Sequence, residues 1–394
     1  MIRQHSVYVY SKFLLLASFL IYILLTPIKI NALPSISTNL SRQLVLIVAL
    51  VLLIIFSLIK TRIIIFDKVL TSFLLIRIIF FGLISLLNLV DLSHYLSYML
   101  IIAIFPIVYL CISNSTIDAR SALIQLTKIS VIIIGIQTAS AFLTLVFQGH
   151  ALYQIKNLIA IPFGNSNTIA SIVVFQTVIC YCLIKNKIYF IISTITLMFT
   201  MSRWGLFSYA VVIVILLVSK SNSKHKLRNM IIYITLIVLI YAGVTYLLPK
   251  YASTYDNAFK DFLHGNYDSL FNGRDYIYLN YKEMIIDKLL LGYGLGIETP
   301  AYGMAHNFIV QALYFGGVIG AVIYYFPYFL LSRSCFSKIK NNNNLVLFLC
   351  ILALFINGFA ENVFFTAPSE FISSVFIALI YKYQNTCVEE VANE

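Results

Sequence analysis

Apolar runs of about twenty residues, broken by short polar connections, recur along almost the whole chain. Twelve such stretches are read at 13–30, 43–59, 69–90, 95–112, 122–147, 164–184, 188–201, 204–218, 230–248, 307–331, 345–360 and 369–382. A run of this length suits a membrane-spanning helix. Lipid offers no partners for backbone N–H and C=O groups, so only helices or closed barrels cross it, and these runs are too long for barrel strands. The pattern predicts an all-α polytopic membrane protein, a single integral membrane domain over 1–394. The seventh and eighth stretches are short and joined only by Ser202-Arg203, which predicts a tight re-entering pair. The first is too long for a cleaved leader and has no small-residue cleavage site, so it reads as a retained anchor.

Composition agrees. Hydrophobic residues make up 61% of the 394 and charged residues 11%, with mean hydropathy +0.93. A soluble domain carries about a quarter charged residues. The formal net charge of +12 would suggest nucleic acid in a soluble protein. Here it matters by side. With the N-terminus inside, sixteen of the 27 Lys and Arg fall in cytoplasmic connections and nine on the outer side. That asymmetry predicts both termini in the cytoplasm. Arg77 and Lys128 fall within spans, about 12 and 9 Å from their cytoplasmic ends, near enough to snorkel. Six Cys are ordinary usage, and those outside the spans lie near the cytoplasmic side, so no outer disulfide framework is expected.

One segment departs from the pattern. Residues 249–306 form a large outer loop with seven of the fifteen acidic residues and eight Tyr. Its aromatic and apolar content predicts order. Asn272-Gly-Arg-Asp275 reads as a helix start, with an amphipathic helix through about Leu291 ended by Gly292.

Four polar groups stand where apolar residues would serve: Gly164-Asn165-Ser166-Asn167, Ser202-Arg203-Trp204, Gly273-Arg274 and Ala305-His306-Asn307. Each opens a predicted helix, and all fall on the outer side. Helix N-termini carry unpaired N–H groups and partial positive charge, which favour anions. Arg203 and Arg274 are misplaced for helix stability, since cations prefer C-termini. An anion would repay them. At the outer face of a bilayer the natural one is a lipid-linked phosphate or diphosphate, which Arg binds in bidentate fashion. A diphosphate leaving group needs charge neutralisation more than a proton donor. The attacking sugar hydroxyl needs a base, and His306, at a positive helix end, is expected neutral and able to accept the proton.

Plainer readings stand beside these. Arg203, next to the one Trp, suits a headgroup anchor, and Arg274 a solvated loop. His306 suits a structural hydrogen bond. Asn165 and Asn167 are good caps. Glu361 and Glu370 flank the last outer loop and read best as caps of the twelfth helix, or else as members of the site. Gly292-x-Gly-x-Gly296 reads as a turn, and Gly316, Gly317 and Gly320 suit close helix packing. No metal-ligand spacing is present, and no cofactor is expected.

In this order, the motifs at 164–167, 202–203, 273–274, 292–296, 305–307 and 316–320 resemble the O-antigen polymerase and O-antigen ligase superfamily of bacterial envelope enzymes. The resemblance covers roughly residues 160–330 by motif. It implies a metal-independent, inverting glycosyltransferase in the bacterial inner membrane, with its active site extracytoplasmic. The implied donor is an oligosaccharide on undecaprenyl diphosphate. By resemblance Arg203 and Arg274 bind the diphosphate and His306 activates the acceptor hydroxyl, with Asn165, Asn167 and Asn307 around them. Tyr276, Tyr278 and Tyr281 could stack on sugar rings. The partners expected are that lipid-linked oligosaccharide, membrane lipid, a chain-length regulator and a flippase; nucleic acid is not. A compact chain with a modest loop is more like a polymerase than a ligase. A flippase or other transporter is the remaining class, for which neither repeated halves nor midplane acids are evident.

Overall fold

A computed structural model describes residues 14–23, 38–58, 67–90, 92–115, 117–148, 166–184, 186–220, 274–296, 304–336 and 342–392, with single positions at 155, 159, 228, 231 and 235. Among the described residues the regular structure is helical throughout, without strands. The helices are α1 (Leu14–Ile23), then α2 (Thr38–Leu58), α3 (Lys68–Leu87), α4 (Leu92–Ser113), α5 (Ala119–Phe147), α6 (Ser166–Leu183), α7 (Lys187–Thr200), α8 (Arg203–Lys220), α9 (Arg274–Asp287), α10 (Phe308–Phe336), α11 (Asn342–Gly358) and α12 (Ala367–Ala392). Stretches over α3, α4, α5, α6 and α10 are long and apolar enough to cross a membrane. The predicted count of twelve spans is not established. The stretch at 230–248 lies almost wholly outside the described residues, and α1, the Leu44–Ile55 part of α2, α7, α8 and α11 are shorter apolar helices.

Local sequence sets the ends. Asp67 caps α3 at Leu70 N (3.0 Å), and Asp118 caps α5 at Arg120 N and Ser121 N. Asn186 caps α7 at Ile188 N. One contiguous core runs from Leu15 to Tyr381. Within it α12 lies along α4, α6 along α7, and α3 along α10. α7 and α8 turn back on one another at the predicted joint. Met201 turns the chain with φ +50°, Ser202 Oγ accepts from Gly205 N, and Thr194 of α7 meets Tyr209 OH of α8 at 3.2 Å. At 14 residues, α7 is only about 21 Å long.

The tenth predicted span is not one rod. Tyr325 OH donates to Phe308 O at 2.7 Å, and the two rings sit 5.0 Å apart. Seventeen residues along a straight helix would separate them by about 25 Å. The helix breaks at Gly317 (φ +60°, ψ −164°), a region open essentially to glycine alone. Phe308–Gly316 is thus a short arm folded back on Val318–Phe336.

The broken backbone is repaired by the turn after α9. Val318 N donates to Leu289 O and Ile319 N to Leu290 O, while Tyr293 N and Gly294 N donate to Tyr314 O and Phe315 O. This contact requires glycine on both sides. A Cβ on Gly317 would lie 2.3 Å from Leu290 O, and one on Gly292 2.5 Å from Gly317 N. The two glycine motifs therefore form a single joint. Gly316 and Gly320 do serve close packing, against Phe81 and Phe80 of α3. Leu295 N donates to Ser85 Oγ at 2.7 Å, fixing the turn to α3 as well.

Arg77 corrects another expectation. It does not snorkel. Its side chain is completely buried, its Nη2 lies 2.8 Å from Glu370 Oε1, and its guanidinium lies 3.7 Å above the Tyr324 ring. Lys128 is half-buried, 5.5 Å from the Tyr189 ring.

Candidate active site

The starts of α6, α8 and α10 meet at one end of the bundle. Asn167, on the first turn of α6, donates from Nδ2 to Glu361 Oε1. Glu361 Oε2 lies 3.3 Å from His306 Nδ1. Gly205 of α8 packs so tightly on Ala170 of α6 that a Cβ there would lie 2.6 Å from the Ala170 methyl. Three helix N-termini, with their partial positive charge, thus face one region.

His306 is held from both sides along the chain. Ala305 N donates to Gln311 Oε1 (3.1 Å). Asn307 Oδ1 caps the α10 arm at Ile309 N and Val310 N, and its Nδ2 donates to Phe359 O. Asn307 is a cap and a tie between segments. Between these anchors His306 takes φ +49°, a left-handed conformation uncommon outside glycine. Its imidazole is 40% exposed, whereas the Glu361 side chain is 9% exposed. An ionised carboxylate only accepts, so Nδ1 must donate to Glu361. In the neutral ring Nε2 is then the free acceptor.

Glu361 is the residue the sequence undervalued. It precedes a 3₁₀ turn, Val363–Phe365, and joins the His306 cluster instead of capping α12. The available signal was an acidic residue directly after a span, on the same face as the other polar groups. Glu370 does stand in the first turn of α12, but its carboxylate goes to Arg77. Near the cluster in sequence, Ser166 Oγ, Gln311 Nε2 and both amide atoms of Asn362 are buried without a hydrogen-bond partner. Buried polar atoms of this kind ask for an explanation.

Tyr281 offers no ring face to a sugar. It is fully buried against Tyr314 (5.0 Å), and burial raises its phenol above the ordinary tyrosine range. Its contacts reach Gln311 and Ala305, so α9 packs directly behind the segment that carries His306. Trp204 is exposed and packs edge-on against Phe207. Arg203 and Arg274 are the first residues of α8 and α9, as predicted. Their side chains, the side chain of Tyr276, and Asn165 lie outside the described residues, as does the predicted cap Asn272.

Residues 188–325 match a family model described as O-Antigen ligase. The match runs from α7 into α10 and includes Arg203, Arg274, His306 and both glycine motifs, but neither Asn167 nor Glu361. No curated protein matches the chain.

Proposed function

We propose, from the match of residues 188–325 to a family model described as O-Antigen ligase, that the chain is a glycosyltransferase-like enzyme and, more narrowly, a surface-polysaccharide polymerase. It joins oligosaccharide repeats carried on undecaprenyl diphosphate at the outer face of the inner membrane. The observation that carries this reading is the His306–Glu361–Asn167 cluster where three helix N-termini converge.

In the reaction, an acceptor sugar hydroxyl attacks the anomeric carbon of the donor. The new C–O bond forms as the bond to the diphosphate breaks, and inversion follows from attack opposite the leaving group. His306 Nε2 takes the hydroxyl proton. Glu361 holds Nδ1, fixing the ring and steadying the imidazolium that forms. Arg203 and Arg274, each at a helix start, neutralise the departing undecaprenyl diphosphate.

The test uses purified protein with lipid-linked repeats. His306→Gln is expected to lower kcat by about 10²- to 10⁴-fold, the usual contribution of a positioned base. Full activity in His306→Gln, Arg203→Gln and Arg274→Gln alike would overturn the catalytic reading. A ligase is the second reading, favoured by the description of the matching family model. Gene deletion separates the two. Lipopolysaccharide bearing one repeat marks a polymerase; lipopolysaccharide with no repeat marks a ligase.

A further inference from the structure

The ion pair buried between α3 and α12 has no place in the chemistry above. Arg77 and Glu370 are each 0% exposed and 2.8 Å apart. Arg77 Nε and Nη1 and Glu370 Oε2 have no hydrogen-bond partner. An ion pair in an apolar interior repays its desolvation poorly, and ionisable residues inside a membrane protein generally mark function. Its neighbours lead towards the site. The Arg77 guanidinium lies over the Tyr324 ring, 3.7 Å from its centre. Tyr328 OH donates to Glu370 Oε1 at 3.3 Å. Tyr324 OH is also 3.4 Å from Glu370, but its single hydrogen goes to the closer acceptor, Phe364 O.

Phe364 sits in the 3₁₀ turn three residues after Glu361, and Phe365 N closes that turn on Asn362 O. The Phe364 ring packs on Phe308, Tyr325 and Phe355. Phe308 follows Asn307 and is itself held by Tyr325 OH. One guanidinium thus fixes the ring whose hydroxyl fixes the turn carrying Glu361.

From these contacts we infer that Arg77 and Glu370 are positioning residues, acting through Tyr324 to hold Glu361 against His306. The inference rests on the reading of Glu361 and His306 as the acceptor-activating pair. It predicts that the 361–366 turn loosens when the chain of contacts is cut anywhere along it.

Two variants of the full-length protein test this. Tyr324→Phe keeps the ring under Arg77 and removes only the hydroxyl. The paired Arg77→Gln/Glu370→Gln removes both charges and leaves no uncompensated ion. In each, hydrogen exchange of amides 361–366 should rise roughly tenfold while that of 345–357 stays as in wild type. Unchanged exchange at 361–366 in either variant, or an equal rise across all helices, overturns the inference. Exchange needs no turnover, so it decides the point even if the protein proves to have no transferase activity.

A kinetic cycle tests the consequence. Tyr324→Phe should lower kcat by roughly 10- to 100-fold with KM for the lipid-linked donor unchanged. In a Glu361→Gln background the same change should cost less than about twofold, because the group it positions is gone. Equal losses in the two backgrounds would show that Tyr324 does not act through Glu361.

Discussion

His306 and Glu361 share a hydrogen bond while Asn307, next to His306 in the chain, caps the α10 arm, and single substitutions should separate their roles. Glu361→Gln keeps the size of the side chain and can still accept, but it loses the charge that faces the imidazole. We expect kcat to fall by about 10²-fold or more with little change in thermal midpoint, measured on the purified protein. Asn307→Ala removes a cap and the tie to Phe359 O. It should lower stability by about 1–2 kcal/mol, read as a shift in the thermal unfolding midpoint in detergent. Arg77 adds a sharper contrast. Arg77→Met leaves Glu370 buried and unpaired, at a cost of about 3–5 kcal/mol. The double change Arg77→Met/Glu370→Met should recover most of that, since an apolar pair of similar volume needs no desolvation.

The elements depend on backbone geometry that only a few residues permit. The α10 hairpin and the turn after α9 meet through Gly292 and Gly317, where the backbones leave no room for a Cβ. Gly317→Ala should therefore destabilise strongly. The forbidden φ/ψ alone costs about 1–3 kcal/mol, before the clash with Leu290 is counted. Gly82→Ala is the control. A Cβ there meets only Tyr95 OH at 3.6 Å and Met99 Cε at 3.7 Å, ordinary contact distances. It sits inside α3, so alanine should leave stability unchanged or raise it by up to about 1 kcal/mol. Thermal midpoints of the two variants check both statements. Both glycine motifs are legible along the chain, one as a turn and the other as packing. That they meet is not, because they are some twenty residues apart and pair through backbone atoms that any residue carries. Hydropathy likewise shows 307–331 as one span, since it does not register a reversal at a single glycine.

Across the whole molecule, the site end and the opposite end of the bundle can be told apart by labelling. Leu89, at the end that also holds Lys288 and the α9 turn, is 92% exposed. Lys187 is exposed at the start of α7, the end opposite the re-entering turn at Met201. If the site faces outwards, a membrane-impermeant thiol reagent should label Leu89→Cys in intact cells, and should label Lys187→Cys only after permeabilisation. Reversed labelling would place the His306 cluster on the cytoplasmic side and remove the lipid-diphosphate reading. Local sequence decides the class of the molecule: apolar runs and a scarcity of charge leave a helical membrane protein as the outcome. It also placed the polar motifs at helix starts, because capping and hydropathy breaks are local. The pairings come from the fold. His306 meets Glu361 across 55 residues and Arg77 meets Glu370 across 293. A carboxylate at a span end looks the same along the chain whether it caps a helix or holds an imidazole. Its partner is chosen by helix packing, which brings together residues that no local pattern connects.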